Sequence, residues 1–473
     1  MDEAAWEKLP WHRRPSVYWL LIPFALTAIS FGGLIVPKVN LVLALVCDDY
    51  YSSPATFSTA ALKTPGATLP DHCRTPEIQR RVATFKLLYS LTSGTLASLI
   101  SPHLGRLSDR HGRLPLLIWT NIGMLLNETI TVLVANFPQT LPLSTLLLGA
   151  ALDGLGGSFI SSMALAHAYA ADTTPPSRRN VVFGYFHGCL HSGIALGPVL
   201  AAALMARTGS VVSVFYLALA CHALFITLLL LAVPESLSPS RRRAAHAARI
   251  IPSTGPTRAL LSALHPKSFF APLRVLYPAH ASPSTKRTLL VLAAIDTVTF
   301  GLAMGAHTVV LLYSNYRFAW TAVMQGYFVG IVGASKVACL LVLVPLTMRL
   351  FGRGRGVELA LVRAAIAADV AGYTGYALAP SGGWFVAAGT LAAAGGVGSP
   401  TLQAAMVSLV GPGDTGALLG AVGLLHNVAR AVGPVVFMGV YAATVGWWPQ
   451  AYFWLLGGLF AVAWGGTWMV KIG

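Results

Sequence analysis

Long apolar runs alternate with short polar joints along almost the whole chain. A helix that crosses a bilayer needs about 20 mostly apolar residues. Twelve segments meet that need: 17–46, 83–101, 115–136, 141–170, 181–206, 210–233, 288–313, 322–346, 357–379, 384–410, 415–442 and 450–470. The first and fourth are long enough to tilt or to protrude. Glycine recurs inside the runs, as in LDGLGGSF and AAAGGVGSP, where small side chains let membrane helices approach closely. The pattern predicts an all-α membrane protein with twelve transmembrane helices.

The joints differ in charge. Those on the side of the N-terminus hold 21 Lys and Arg, and those on the opposite side hold 6. Positive charge gathers on the cytoplasmic side of membrane proteins, so both termini are expected in the cytoplasm. Two joints are long. Residues 48–81 form an outer loop, and residues 234–287, rich in Arg, Ser and Pro, form a cytoplasmic basic linker. The expected organisation is an N-terminal six-helix bundle over 1–233, the linker over 234–287, and a C-terminal six-helix bundle over 288–473. The RRRAAHAAR stretch of the linker reads as a solvated, lipid-facing basic segment.

Composition agrees. Hydrophobic residues make up 55% of the chain and charged residues only 10%, against about 25% charged in soluble domains. The net charge of +16 would raise nucleic acid as a partner, but the basic residues are spread through short joints rather than gathered on a polar domain. The polar opening MDEAAWEKLPWHRRPS, followed by an apolar run too long for a signal core, reads as lacking a cleavable leader. The five cysteines show no C-x-x-C pair and no zinc spacing. Cys47 and Cys73 bracket the outer loop, and the sequence leaves open whether they pair.

Two internal features point to mechanism. Helix 5 carries Gly184, Gly193, Gly197 and Pro198, and helix 11 repeats the spacing as Gly420, Ala429, Gly433 and Pro434. Each helix also has a histidine early in the pattern, His191 and His426, an echo that supports two duplicated halves. After helix 2 a short loop reads Gly105-Arg106-Leu107-Ser108-Asp109-Arg110-His111-Gly112-Arg113. This resembles the G-x-L-x-D-R-x-G-R signature of the major facilitator superfamily at every named position. The resemblance implies a cytoplasmic gate: Asp109 would face the N-terminal dipole of helix 11, and Arg110 or Arg113 would meet Asp172 at the end of helix 4. The helix 5 pattern resembles the antiporter signature of twelve-helix drug:proton antiporters, including the tetracycline-efflux branch, although Ala201 and Ala202 replace its last two glycines. Helix 4 departs from the family: Ala150 falls where an arginine is usual, and Asp153 follows three residues later. The long outer loop and the helix 4–5 region are similar to fungal relatives of the proton-coupled folate transporter group, which import by symport.

Ionisable residues inside spans are costly and usually face a cavity or a partner. They are Lys38, Lys86, Glu128, Asp153, Asp296, Lys336, Arg363, Asp369 and Arg430. The resemblance places helices 3, 6, 9 and 12 at the periphery, which discounts Glu128, Arg363 and Asp369, while Lys86 can snorkel to an end. The expected transport path is therefore Lys38, Asp153, Asp296, Lys336 and Arg430, joined by His191 and His426. His426 and Arg430 share a helical face, and histidine titrates near neutral pH. Asp153 and Ser161 are expected on one continuous face of helix 4, with Asp153 as the proton-coupling acid.

No H-E-x-x-H, P-loop or G-x-S-x-G occurs. The expectation is therefore a secondary transporter rather than an enzyme, with no cofactor and no metal. Its partners would be a small organic solute, protons and the bilayer, and it would work as a monomer, in the plasma membrane first and the vacuolar membrane second. Export by proton antiport is the first reading. Proton-coupled import is the alternative, and a non-transporting receptor is a more remote one.

Overall fold

The computed structural model describes residues 10–51, 70–175, 179–237, 271–278, 281–352, 355–410 and 415–470. Most of the outer loop, most of the basic linker and the two chain ends lie outside this set, as do the side chains of Arg106, Asp109 and His187.

Among the described residues, twelve long helical stretches follow in order: α1 (Val17–Tyr50), α2 (Pro76–His111), α3 (Arg113–Asn136), α4 (Thr145–Thr173), α5 (Arg179–Thr208), α6 (Val212–Leu231), α7 (Pro283–Phe318), α8 (Ala322–Phe351), α9 (Arg355–Leu378), α10 (Gly382–Val407), α11 (Thr415–Thr444) and α12 (Ala451–Gly466). No strand occurs among the described residues. Among the described residues, nine stretches are long and apolar enough to cross a membrane, by length and composition only; α2 and α9 carry several charges, and the α-helical part of α12 is only 16 residues long.

The chain divides into two compact units. The first comprises Met1–Ile78, Leu88–Ser253 and Trp320–Gly330, and the second Gln79–Leu87, Thr254–Ala319 and Ile331–Gly473. In the first unit, α1 and α5 touch backbone to backbone. A Cβ on Gly197 would sit 2.5 Å from Gly33 N and from Ile29 O, and one on Gly193 would fall on the Ala28 carbonyl. Only glycine permits that approach. The second unit repeats the device between α7 and α11, where a Cβ on Gly433 would meet Gly301 O at 2.6 Å. Gly193 and Gly197 of the helix 5 pattern and Gly433 of the helix 11 pattern therefore make equivalent seams. Aromatic side chains fill the rest: Phe24, Phe159 and Phe186 in the first unit, and Tyr313, Phe385 and Phe453 in the second.

Two expectations are corrected. The signature after helix 2 is not a loop. Helix α2 runs on to His111, so Gly105–His111 are helical, and only Gly112, at φ 110°, separates α2 from α3. Helix 4 is not continuous either. It breaks at Gly157 (φ 90°) and Ser158 (φ 58°), dividing α4 into Thr145–Gly156 and Ser158–Thr173. Asp153 and Ser161 thus lie on different segments rather than on one face. Helix α10 is interrupted too, by a 3-10 turn at Ala394–Val397. Non-helical backbone at membrane depth is tolerated only where protein or a polar cavity receives its exposed groups.

Candidate transport site

The first unit holds a polar cluster inside an apolar bundle. Lys38 Nζ donates to Glu128 Oε1 at 2.5 Å, joining α1 to α3. Ser93 Oγ on α2 donates to Asp153 Oδ2 on α4 at 2.8 Å. Tyr89 OH donates to Asn127 Oδ1 at 3.0 Å. Lys38 also lies within electrostatic reach of Tyr89 and Asp153. Glu128 and Asp153 are buried, and Lys38 is mostly so. Two acids thus sit around one ammonium, where the low dielectric magnifies each interaction and makes an unpaired charge expensive.

The break in α4 borders this cluster. The N–H of Gly157 closes on the carbonyls of Asp153 and Gly154, so the first segment ends one turn beyond the Asp153 side chain. Contact with α2 is close here, since a Cβ on Gly154 would lie 2.8 Å from Ser93 O. Just past the break, Ser161, Ala164 and Ala168 face Ser101, Gly105 and Ser108 of α2 across a cavity of about 230 Å³ that Arg113 also lines.

Arg113 organises the far end of the unit. Its Nε donates to Asp172 Oδ2 at 2.8 Å and its Nη1 to Ser108 Oγ at 2.6 Å. Glu235, just beyond α6, accepts the backbone N–H groups of Arg113 and Leu114 at 2.9 and 3.1 Å. A carboxylate there satisfies orphan donors and the positive end of the α3 dipole. Of the two arginines considered, Arg113 is the one bonded to Asp172. The proposed contact of Asp109 lies outside the described residues.

In the second unit, His426 Nε2 and Asp296 Oδ2 are 2.9 Å apart, tying α11 to α7. Phe300 stacks on the imidazole, with ring centroids 4.0 Å apart. Asp296 is fully buried, and its other oxygen has no hydrogen-bond partner among the described residues. Lys336 on α8 and Asp369 on α9 approach the 3-10 turn of α10. A Cβ on Gly396 would meet Lys336 Cγ and Cδ at 2.7 Å, and one on Gly395 would fall on the Asp369 carboxylate. Lys336 and Asp369 feel each other electrostatically. Arg430 and His191 are half-buried on α11 and α5.

Outside the membrane-depth clusters, Cys47 and Cys73 form a disulfide, with Cα atoms 5.4 Å apart. Glu128 and Asp369, which the resemblance discounts as peripheral, each have a cationic neighbour in the structure, Lys38 on α1 and Lys336 on α8. Charge balance within each half could have found them, because Lys38 and Lys336 need nearby acids. Glu235 had no comparable signal, since a lone Glu after a span reads as ordinary solvated surface.

The family model described as Major Facilitator Superfamily matches residues 55–434. The chain is 31% identical to the MFS-type transporter avaJ of Aspergillus versicolor, over 95% of this chain and 88% of that one. It is 28% identical to the class C tetracycline resistance protein of Escherichia coli, over 82% and 87%. Its fold is similar to the crystal structure of the human organic anion transporter MFSD10 (TETRAN), at a TM-score of 0.64 and 20% identity, over 97% and 100% of the two chains. A family match across most of the chain, a full-length relative and a full-length fold neighbour, set on two glycine-seamed units with buried charge, lead to one conclusion: the chain belongs to the Major Facilitator Superfamily and is a multi-pass membrane transporter of small solutes.

Proposed function

We propose that this transporter exports a small organic solute in exchange for protons, by alternating access between two six-helix halves with both termini in the cytoplasm of a plasma-membrane monomer. The observation that carries the reading is Asp153. It is a buried carboxylate, one turn from a break in its own helix, held by Ser93 and within reach of the Lys38–Glu128 pair. A carboxylate so placed exchanges a proton when its surroundings change, and a broken helix is a segment able to change them. Asp296–His426 and Lys336–Asp369 supply titratable groups in the other unit, and Arg430 and His191 extend the polar path. The name of the tetracycline resistance relative favours export. In the proposed gate, Arg113–Asp172 holds the cytoplasmic ends of helices 2, 3 and 4 together, and Asp109 works against helix 11.

The test is counterflow in proteoliposomes loaded with organic solutes, with and without a pH gradient. Antiport predicts that solute accumulates in the acidic compartment. Accumulation in the alkaline compartment would replace antiport with symport, and binding without trans-stimulation would make the protein a receptor.

A further inference from the structure

The N-terminal end of α7 is built differently from the bundle interior. The chain enters it through a short 3-10 helix, Ala271–Leu276, and Tyr277, which fold back toward α7 and α11. Ser282 caps α7 by accepting the N–H of Thr285 at 3.1 Å. Between the returning segment and α7 lies an open cavity of about 430 Å³, lined by Tyr277, Pro283, Lys286, Arg287, Leu290 and Val291. Lys286 Nζ lies 4.8 Å over the Tyr277 ring, a cation–π contact that keeps the ammonium at the cavity.

The order of these residues along the helix carries the inference. Residues four apart share a helical face, so Lys286 stands above Leu290 and Arg287 above Val291. Two columns therefore run side by side, each with a cation at the outer end and an aliphatic side chain one turn deeper. Arg287 and Leu290 are exposed. The 36 residues of α7 rise about 54 Å at 1.5 Å each, well beyond a hydrocarbon slab of about 30 Å. The apolar run of α7 begins at Leu289, which sets the two cations at the border of the bilayer and the two aliphatic residues inside it.

We propose that this cavity is a binding site for one anionic glycerophospholipid, its phosphate held by Lys286 and Arg287 and the start of its acyl chains laid along Leu290 and Val291. A soluble phosphate ion would use the cations alone and leave the aliphatic half of each column idle; a phospholipid uses both. The site is independent of the direction of transport and of the solute.

Native mass spectrometry of the purified full-length protein tests it, with phosphatidylglycerol and phosphatidylcholine of identical chains as probes and glycerol 3-phosphate as competitor. Two interfacial cations predict a preference of about thirtyfold for phosphatidylglycerol. The double variant Lys286→Gln/Arg287→Gln loses that preference, whereas Arg349→Gln, an exposed arginine at the end of α8, keeps it. Leu290→Gln weakens retention of phosphatidylglycerol, and millimolar glycerol 3-phosphate does not displace the lipid. Equal retention of the two lipids by the unmodified protein would overturn the proposal without reference to any variant. So would an undiminished preference in the double variant, or displacement by glycerol 3-phosphate with Leu290→Gln silent.

Discussion

Lys38 and Glu128 bond across α1 and α3 inside an apolar bundle, with Glu128 almost fully buried. Removing one partner of such a pair strands the other, at a cost of about 3–5 kcal/mol, whereas replacing both with apolar side chains of similar size is often neutral. Lys38→Met is therefore expected to lower the melting temperature of the purified protein sharply. Lys38→Met/Glu128→Leu should recover most of the loss in the same assay. Equal stability of the single variant and the unmodified protein would show that Glu128 finds another counter-charge. The charged residues themselves were legible in the sequence, because an ionisable side chain in an apolar run stands out. Their pairings were not. Lys38 and Glu128 are 90 residues apart, and nothing local says which helix faces which. The resemblance to the family even pointed away from Glu128 by assigning its helix to the periphery.

At the scale of elements, glycine explains both what could be read and what could not. The repeated spacing in helices 5 and 11 was visible, and its Gly193 and Gly197 are points where α5 meets α1, as Gly433 is where α11 meets α7. The LDGLGGSF stretch of helix 4 looked like the same packing device. It contains Gly154 and Gly156, which do pack closely, and Gly157, which instead takes a left-handed conformation and ends the first segment. Glycine serves both purposes, so sequence alone does not separate a seam from a break. The distinction is measurable. Gly157→Ala must place a Cβ in the left-handed region, at about 1–3 kcal/mol, and that atom would also meet Leu104 Cδ1 at 2.5 Å and Ser161 Oγ at 2.6 Å. Gly458→Ala, on α12 with nothing within 4 Å, removes a helix-weakening residue and gains up to about 1 kcal/mol. Thermal unfolding should rank them in that order, with Gly157→Ala below the unmodified protein and Gly458→Ala at or above it. A Gly157→Ala variant of unchanged stability and transport rate would mean that the break is dispensable.

At the scale of the whole molecule, apolar periodicity made the fold class plain, because lipid leaves only helices or closed barrels as spanning structures. Each compact unit carries its own charged groups at membrane depth: Asp153 with Lys38 and Glu128 in the first, and two separate pairs, Asp296–His426 and Lys336–Asp369, in the second. A transporter driven by protons needs a group that is loaded on one side of the membrane and emptied on the other. Asp153 is proposed for that role because its helix breaks beside it. The direct measurement compares the unmodified protein with Asp153→Asn in proteoliposomes, recording solute accumulation driven by a pH gradient and, separately, solute exchange without a gradient. The neutral amide keeps the shape of the side chain and can still accept the Ser93 hydrogen bond, so the account predicts that exchange persists while gradient-driven accumulation is lost. An Asp153→Asn protein that still concentrates solute in response to the pH gradient would contradict it.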